Sequence, residues 1–418
     1  MNRANYENKK IIHNFLKMIE RSVKIIFVYP IKIITNLIKI LVLYLSMLSI
    51  RSKKIFVFGA WQGNKFADNS MYLYLEALKH DDIKAVWITK DKKIERKLRS
   101  EGYIAYYYNS LKGIYYQLRA GVYYTCVSRF DVFSLLMGNA ININLCHGVP
   151  LKKMMYDDNV TNKTNSKANH IKSSLIESIY SFPNRKEYVV STSDTLTDIY
   201  LSAYRKKRSE ILQFGQPRND VFFNDNLEIQ EFPFREKDKK VILYMPTHRN
   251  EGKNKMDMTT ILDFEELNKY CIEKNFLFLI KKHYYHRNEN ENLDNYSNII
   301  DITKTDYDSQ LLLKYSDLLI TDYSSCYIDY LLLKRPIVFY YFDYDNYLVN
   351  DREMYFEYDK VTPGPKVKTF KELYMILQQI TDVDIYEDQR KKVTDLFYSK
   401  DNQKSVGSNL LNYIKNHF

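Results

Sequence analysis

Two separated segments hold the side chains best suited to chemistry. His147-Gly148-Val149-Pro150-Leu151-Lys152-Lys153 follows the apolar run Ala140 to Cys146 and sets an imidazole beside a glycine turn. Thr321-Asp322-Tyr323-Ser324-Ser325 follows Leu318-Leu319-Ile320 and opens a helical stretch with hydroxyls. An imidazole at that place is suited to accept a proton, and hydroxyls with exposed N–H groups at a helix start are suited to phosphate oxygens. Three further run ends add cations. Lys281-Lys282-His283 closes Phe276 to Ile280, and its charges are expected at a sheet's carboxyl edge, where they clamp a diphosphate. Met245-Pro246-Thr247-His248-Arg249 contributes a hydroxyl and a guanidinium fork, and Phe214-Gly215-Gln216-Pro217-Arg218 another arginine. Each has a structural reading beside the functional one: a hydrogen-bonded histidine, surface ion pairs for Arg218 and Arg249, a helix cap from Ser324 and Ser325. Their shared position at strand ends favours function, because open parallel sheets bind ligands there. Neither GxGxxG nor GxxxxGK[ST] occurs, so the common dinucleotide and P-loop fingerprints are absent.

The elements that must position these groups alternate. Lys54 to Gly59, Ala85 to Thr89, Tyr103 to Tyr107, Val122 to Val127 and Ile141 to Leu145 read as strands, separated by helical stretches such as Asn69 to Lys79, Lys92 to Arg99 and Leu111 to Arg119. The pattern repeats in Tyr188 to Ser193, Ile211 to Gly215, Lys240 to Met245, Phe276 to Lys281, Ile299 to Ile302, Leu318 to Thr321 and Ile337 to Tyr341. Such alternation predicts parallel sheets in an α/β protein. The break at Pro183-Asn184 places the expected boundary at 185/186, between an N-terminal domain over 53–185 and a C-terminal domain over 186–418. The last helix, Lys400 to Phe418, is a candidate for crossing back onto the first domain.

The net charge of +11 is unevenly placed. Residues 1–54 hold eleven lysines and arginines against Glu7 and Glu20, which supplies +9 and leaves +2 for the rest. A nearly neutral body removes the ground for a nucleic-acid partner that a pI near 9.0 would otherwise offer. The basic arm, residues 1–52, also carries the apolar stretch Ile33 to Ile50. It is borderline against the ~20 residues of a spanning helix, and its recurring cations suit a helix lying in the plane of an anionic leaflet. A spanning anchor and a helix packed on the body or used in self-association are the alternatives. No A-x-A site follows it, so a cleavable signal is not expected. Cys126, Cys146, Cys271 and Cys326 lack metal-ligand spacing and read as reduced core residues.

The segments together resemble the CDP-glycerol glycerophosphotransferase family, enzymes that prime and extend teichoic acids and related capsular polymers. The resemblance runs from about Lys54 to the C-terminus. It rests on Gly59-x-x-x-Gly63 with Asp68-Asn69-Ser70, His147-Gly148-x-Pro150-x-Lys152, Gly215-x-Pro217-Arg218-Asn219-Asp220, Pro246-Thr247-x-Arg249, Lys282-His283, Thr321-Asp322-Tyr323-Ser324-Ser325 with Asp329, and Lys334-Arg335-Pro336 before Pro363-Gly364-Pro365. The resemblance implies a GT-B-like pair of Rossmann-type domains facing a cleft. It implies that an acceptor hydroxyl attacks the β-phosphorus of CDP-glycerol and CMP leaves, with His147 as general base and His283 as a second catalytic group. Arg218, Thr247, Arg249, His283, Thr321, Ser324 and Ser325 then form the donor site. No cofactor or metal is expected beyond the donor itself, although Asp322 leaves a metal open. The implied acceptor is a lipid-linked glycan or growing polymer at the cytoplasmic face of the membrane. The chain departs from the family pattern at His248, Asn250 and Tyr284, which leaves CDP-ribitol as an alternative donor. A sugar-nucleotide glycosyltransferase and a silent scaffold are the remaining alternatives. In length the chain is about one transferase unit, nearer the priming enzymes than the long polymerases.

Overall fold

The structure is a computed structural model that describes residues 29–158, 186–227, 229–234, 239–247, 249, 257–283, 286, 293–344, 353–379 and 384–418. Among these, the strands form two all-parallel sheets. The first comprises β1 (Ser52–Phe58), β2 (Lys84–Thr89), β3 (Ala105–Tyr107), β4 (Ala120–Thr125), β5 (Ile141–Asn144), β6 (Glu187–Ser191) and β7 (Ile211–Gln213), in the order β3-β2-β1-β4-β5-β6-β7. The second comprises β8 (Lys240–Met245), β9 (Phe276–Ile280), β10 (Ile299–Asp301), β11 (Leu318–Thr321), β12 (Ile337–Tyr340) and β13 (Lys366–Val367), in the order β10-β9-β8-β11-β12-β13. Helices cover the faces of such sheets, so central strands are apolar on both sides. Every residue of β9 and of β12 is buried, as their unbroken runs FLFLI and IVFY require.

The expected boundary at 185/186 moves. Glu187, Tyr188 and Val189 pair with Asn142, Ile143 and Asn144 of β5, and β7 pairs with β6, so the first sheet extends to Gln213 and the second starts at Lys240. The Pro183-Asn184 break lies outside the described residues. The two-residue β13 carries too little pattern to be read from sequence.

The last helix does cross back. Val406–His417 begins with its first two amides donating to the carboxylate of Asp220 at 2.8 and 2.7 Å. Further along, Lys415 pairs with Asp82 at 2.6 Å and Phe418 packs on Tyr188. Asp220 follows β7 and Asp82 precedes β2, so this helix ties the C-terminal end of the chain to the first sheet.

Within the arm, Tyr29–Met47 is helical, and residues 1–28 lie outside the described residues. Its C-terminal end is tied to the body at the amino edge of the first sheet. The Ser46 hydroxyl accepts from the Gly138 amide at 3.0 Å, and the Arg51 guanidinium donates to the carbonyls of Gln117 (2.7 Å) and Leu136 (2.8 Å). Leu43 is buried, but Ile33, Leu37, Ile38, Leu41 and Leu45 each leave more than half their surface exposed. Among the described residues no helix is long and apolar enough to cross a membrane. All four cysteines are free, and burial pushes the Cys146 thiol up to about 11 and Cys271 up to about 12.

Candidate active site

In each sheet the strand order reverses beside the first strand, at β1/β4 and at β8/β11. Parallel α/β sheets bind ligands at the carboxyl side of such a reversal, where the loops diverge and leave a crevice. Thr247 and Arg249 follow β8, and Asp322 through Ser325 follow β11, so the second sheet presents its candidate groups there. His147 follows β5, one strand over from the first sheet's reversal.

The turn bearing His147 is held from several directions. Cys146 adopts a left-handed φ of +57°, with its amide donating to Asn144 Oδ1 at 3.0 Å. Asn69 Nδ2 donates to the Cys146 carbonyl at 3.0 Å, and Arg218 Nη1 donates to the His147 carbonyl at 2.8 Å. The backbone on both sides of the imidazole is thereby pinned, while the side chain itself is exposed, with its ring edge-on to Trp61 at 6.1 Å between centroids.

Arg218 is the hub of this arrangement. Besides His147 it reaches Asp68 Oδ1 at 2.9 Å and Asp329 Oδ2 at 2.6 Å, and its amide donates to Asn69 Oδ1 at 3.1 Å. Burial works against its charge, but Asp329 and then Asp68 outweigh burial and hold the guanidinium pKa above its usual range. Asp329 also accepts from Asn219 Nδ2 at 3.0 Å and from the Tyr398 hydroxyl at 2.7 Å. Arg218 was expected to bind the donor; its nitrogens instead join Asp68, beside the first sheet, to Asp329, in the helix Cys326–Tyr330 that follows β11. Asp68, Asn69 and Asp329 appeared in the sequence only as parts of motifs, and the motif spacing carried no sign that they meet around His147.

A second cluster surrounds Asp322, which is fully buried. It accepts from the Thr247 amide (2.8 Å), the Thr247 hydroxyl (2.6 Å), the Tyr323 amide (2.6 Å) and Arg249 Nη2 (2.8 Å). Arg249 also pairs with Asp343 through Nε at 2.6 Å and Nη2 at 2.9 Å. Burial again lowers, and Asp322 followed by Asp343 more than restores, the pKa of Arg249. Thr321 is buried, and its hydroxyl donates to the Met245 carbonyl at 2.7 Å, so it ties β11 to β8 rather than facing a ligand. Ser324 and Ser325 are half-buried, Ser324 Oγ accepting from the Cys326 amide at 3.3 Å.

Gly148 lies between Arg218 and the loop that carries Ser325. A side chain begun there would stand 3.2 Å from Arg218 Nη2 and 3.5 Å from Ser325 Oγ. The His147 turn therefore faces the Ser324-Ser325 loop across the space between the sheets. His283 is half-buried at the end of β9, the neighbour of β8, and its carbonyl accepts from the His286 amide at 2.8 Å. The lysines before it do not emerge as expected. Lys282 has a fully buried side chain 3.7 Å from Asp301, and Lys281 Nζ donates to the Ile302 and Thr305 carbonyls at 3.2 and 2.6 Å. His248, Asn250 and Tyr284 lie outside the described residues.

An exposed imidazole on a pinned turn, facing the serine loop that follows a strand of a second parallel sheet, marks the candidate site of a two-sheet α/β transferase. The chain belongs to the CDP-glycerol:poly(glycerophosphate) glycerophosphotransferase family, whose profile matches residues 41–416. It is 32% identical over 332 residues to a teichoic acid poly(glycerol phosphate) polymerase of Bacillus spizizenii, covering 76% of this chain and 82% of that one. It is 30% identical over 345 residues to a teichoic acid glycerol-phosphate transferase of Staphylococcus aureus, covering 79% and 85%. Among solved structures, that of the wall teichoic acid polymerase TagF superposes with a TM-score of 0.72 at 26% identity, covering 97% of this chain and 99% of the other. A variant of TagF soaked with CDPG superposes with a TM-score of 0.71.

Proposed function

We propose that this glycerophosphotransferase works as a GT-B-like pair of lobes, with the acceptor on the His147 side and CDP-glycerol on the second sheet. His147 takes the proton from an acceptor hydroxyl. The hydroxyl oxygen forms a bond to the β-phosphorus, the bond from that phosphorus to the bridging oxygen breaks, and CMP leaves with the electron pair. Such a transfer needs positioning and charge neutralisation more than covalent help from the protein. Arg249, His283, Thr247, Ser324 and Ser325 are assigned to the pyrophosphate, with CDP-glycerol as donor substrate and no separate cofactor. The observation that supports this reading is the approach of Gly148, next to His147, to Ser325.

The arm supports a peripheral place on the cytoplasmic leaflet, where a lipid-linked glycan or growing polymer would be met. In a helix packed on a globular body the apolar stripe faces inward; here Leu37, Leu41 and Leu45, one turn apart, face out. Such a face suits the boundary between headgroups and acyl chains.

The deciding experiment is CMP release from CDP-glycerol by the full chain, with and without a lipid-linked acceptor, with CDP-ribitol and CMP-sialic acid in parallel. Acceptor-dependent release from CDP-glycerol is expected. Release from another donor alone would overturn the donor assignment, and release from none would favour a scaffold.

A further inference from the structure

We infer that Trp61 and Lys65 form an acceptor subsite beside His147 that takes a polyol phosphate, the hydroxyl end lying at the imidazole and the phosphate at the ammonium. The inference rests on the assignment of His147 to the acceptor side.

Trp61 follows β1 and lies in a turn of unusual backbone. Trp61, Gln62 and Gly63 have successive φ values of +49°, +56° and +85°. Glycine takes that region freely, whereas each L-side chain there costs on the order of 1–2 kcal/mol. The turn persists because it is held on both sides. Asp131 Oδ1 accepts from the Gln62 amide at 2.7 Å, and the Gly63 carbonyl accepts from the Lys90 amide at 2.7 Å and the Thr89 hydroxyl at 2.8 Å. Asp131 is itself buried and fixed through Oδ2 by the amides of Cys126 and Val127, both at 2.8 Å. A plain reversal would be served by glycine or asparagine. This one holds a half-buried indole in a strained position, and strain of that kind persists where the surroundings over-determine it, most often at functional sites.

The place it holds is informative. The indole stands edge-on to the His147 ring, 6.1 Å between centroids and 63° between planes. Over the same indole sits Lys65 Nζ, 4.8 Å from the ring centroid, on an exposed side chain. The indole thus stands in contact with the imidazole at one end of the order and with the ammonium at the other. A molecule matching that order offers a hydroxyl, then C–H groups, then a phosphate. A glycerol phosphate terminus has that sequence, whereas a neutral sugar terminus would engage the indole and leave the ammonium unused.

The test uses the full-length protein and two soluble acceptors: a short alkyl chain bearing two glycerol phosphate units, and the same chain bearing an unphosphorylated disaccharide. Binding is read from tryptophan fluorescence and turnover from CMP release. Lys65→Ala is expected to weaken binding of, and raise KM for, the phosphorylated acceptor about tenfold, leaving the neutral acceptor and CDP-glycerol affinity unchanged; Lys65→Arg restores both. Trp61→Ala is expected to raise KM for the phosphorylated acceptor, with Trp61→Phe intermediate. Unchanged affinity for the phosphorylated acceptor in Lys65→Ala overturns the subsite. So does a loss confined to kcat in Trp61→Ala, which would make the indole a support for His147. Because binding is measured apart from turnover, binding that falls in Lys65→Ala without CMP release from CDP-glycerol would sustain the subsite and count against the donor assignment alone.

Discussion

Arg218 donates to the carbonyl of His147 at 2.8 Å, across 71 residues of sequence. Its second terminal nitrogen holds Asp329, so one guanidinium sets the backbone of the candidate base and joins it to the helix that follows the Ser324-Ser325 loop. A lysine reaches as far but presents a point charge rather than a fork, and cannot serve Asp68, His147 and Asp329 in the same geometry. Arg218→Lys is expected to lower kcat by about two orders of magnitude with little change in CDP-glycerol Kd, because the loss is one of positioning. Steady-state kinetics with calorimetric donor titration checks this. A weakened Kd with kcat preserved would return Arg218 to the donor site.

His147→Ala is expected to reduce transfer by about 10²–10⁴-fold, the usual contribution of a general base, and to spare donor affinity. The side chain is exposed, so the fold should be unaffected. Turnover at the wild-type rate would remove it as the base.

Asp343 occupies the fork of Arg249 with two hydrogen bonds, in the manner a phosphate would. Asp343→Ala is expected to tighten CDP-glycerol binding several-fold by freeing donors already aimed, whereas Arg249→Ala is expected to weaken it. Isothermal titration of the two variants separates this from a purely structural ion pair, in which Asp343→Ala would leave donor affinity unchanged or weaken it.

Asp220 has its carboxyl pushed up to about 6, chiefly by burial, with the Gly407 and Val406 amides opposing. A carboxyl whose folded pKa exceeds its unfolded value binds protons more tightly when folded, so stability from this group is present at low pH and is lost as pH rises from about 4 through 6. The loss amounts to about 3 kcal/mol at neutral pH. Relative to Asp220→Asn, the wild type is expected to lose stability over that interval, as measured by urea unfolding midpoints at pH 4.5 and 7. Parallel pH profiles for the two proteins would contradict it.

Removal of residues 1–50 is expected to release the protein from vesicles containing anionic lipid while leaving CDP-glycerol affinity intact. Flotation of the truncated and full chains with anionic and neutral vesicles is the check. Equal flotation with anionic vesicles would place the membrane contact elsewhere.

Much of the architecture was legible because its signals are local. Apolar runs of four to seven residues separated by amphipathic stretches announce a parallel α/β chain, and the runs Phe276–Ile280 and Ile337–Tyr340 became fully buried strands. The groups following those runs were legible as sheet-edge groups for the same reason. Less legible was where each charge points. Lys282 turns inward because Asp301, at the end of the adjacent β10, supplies a carboxylate, and no pattern in either segment announces that neighbour.

Taken alone, the sequence determined that the chain is an α/β protein with parallel sheets, that a basic apolar arm precedes it, and that motif residues gather at strand ends. Periodicity and composition settle these because they depend on residues close in the chain. Tertiary structure alone decided that β6 and β7 complete the first sheet, and that Asp68, 150 residues from Arg218, shares that guanidinium with Asp329. It also decided that Gly148 meets Ser325 and that Asp343 fills the fork of Arg249. Parallel pairing and buried ion pairs join segments far apart in sequence, and their partners are chosen by the register and packing of the whole fold.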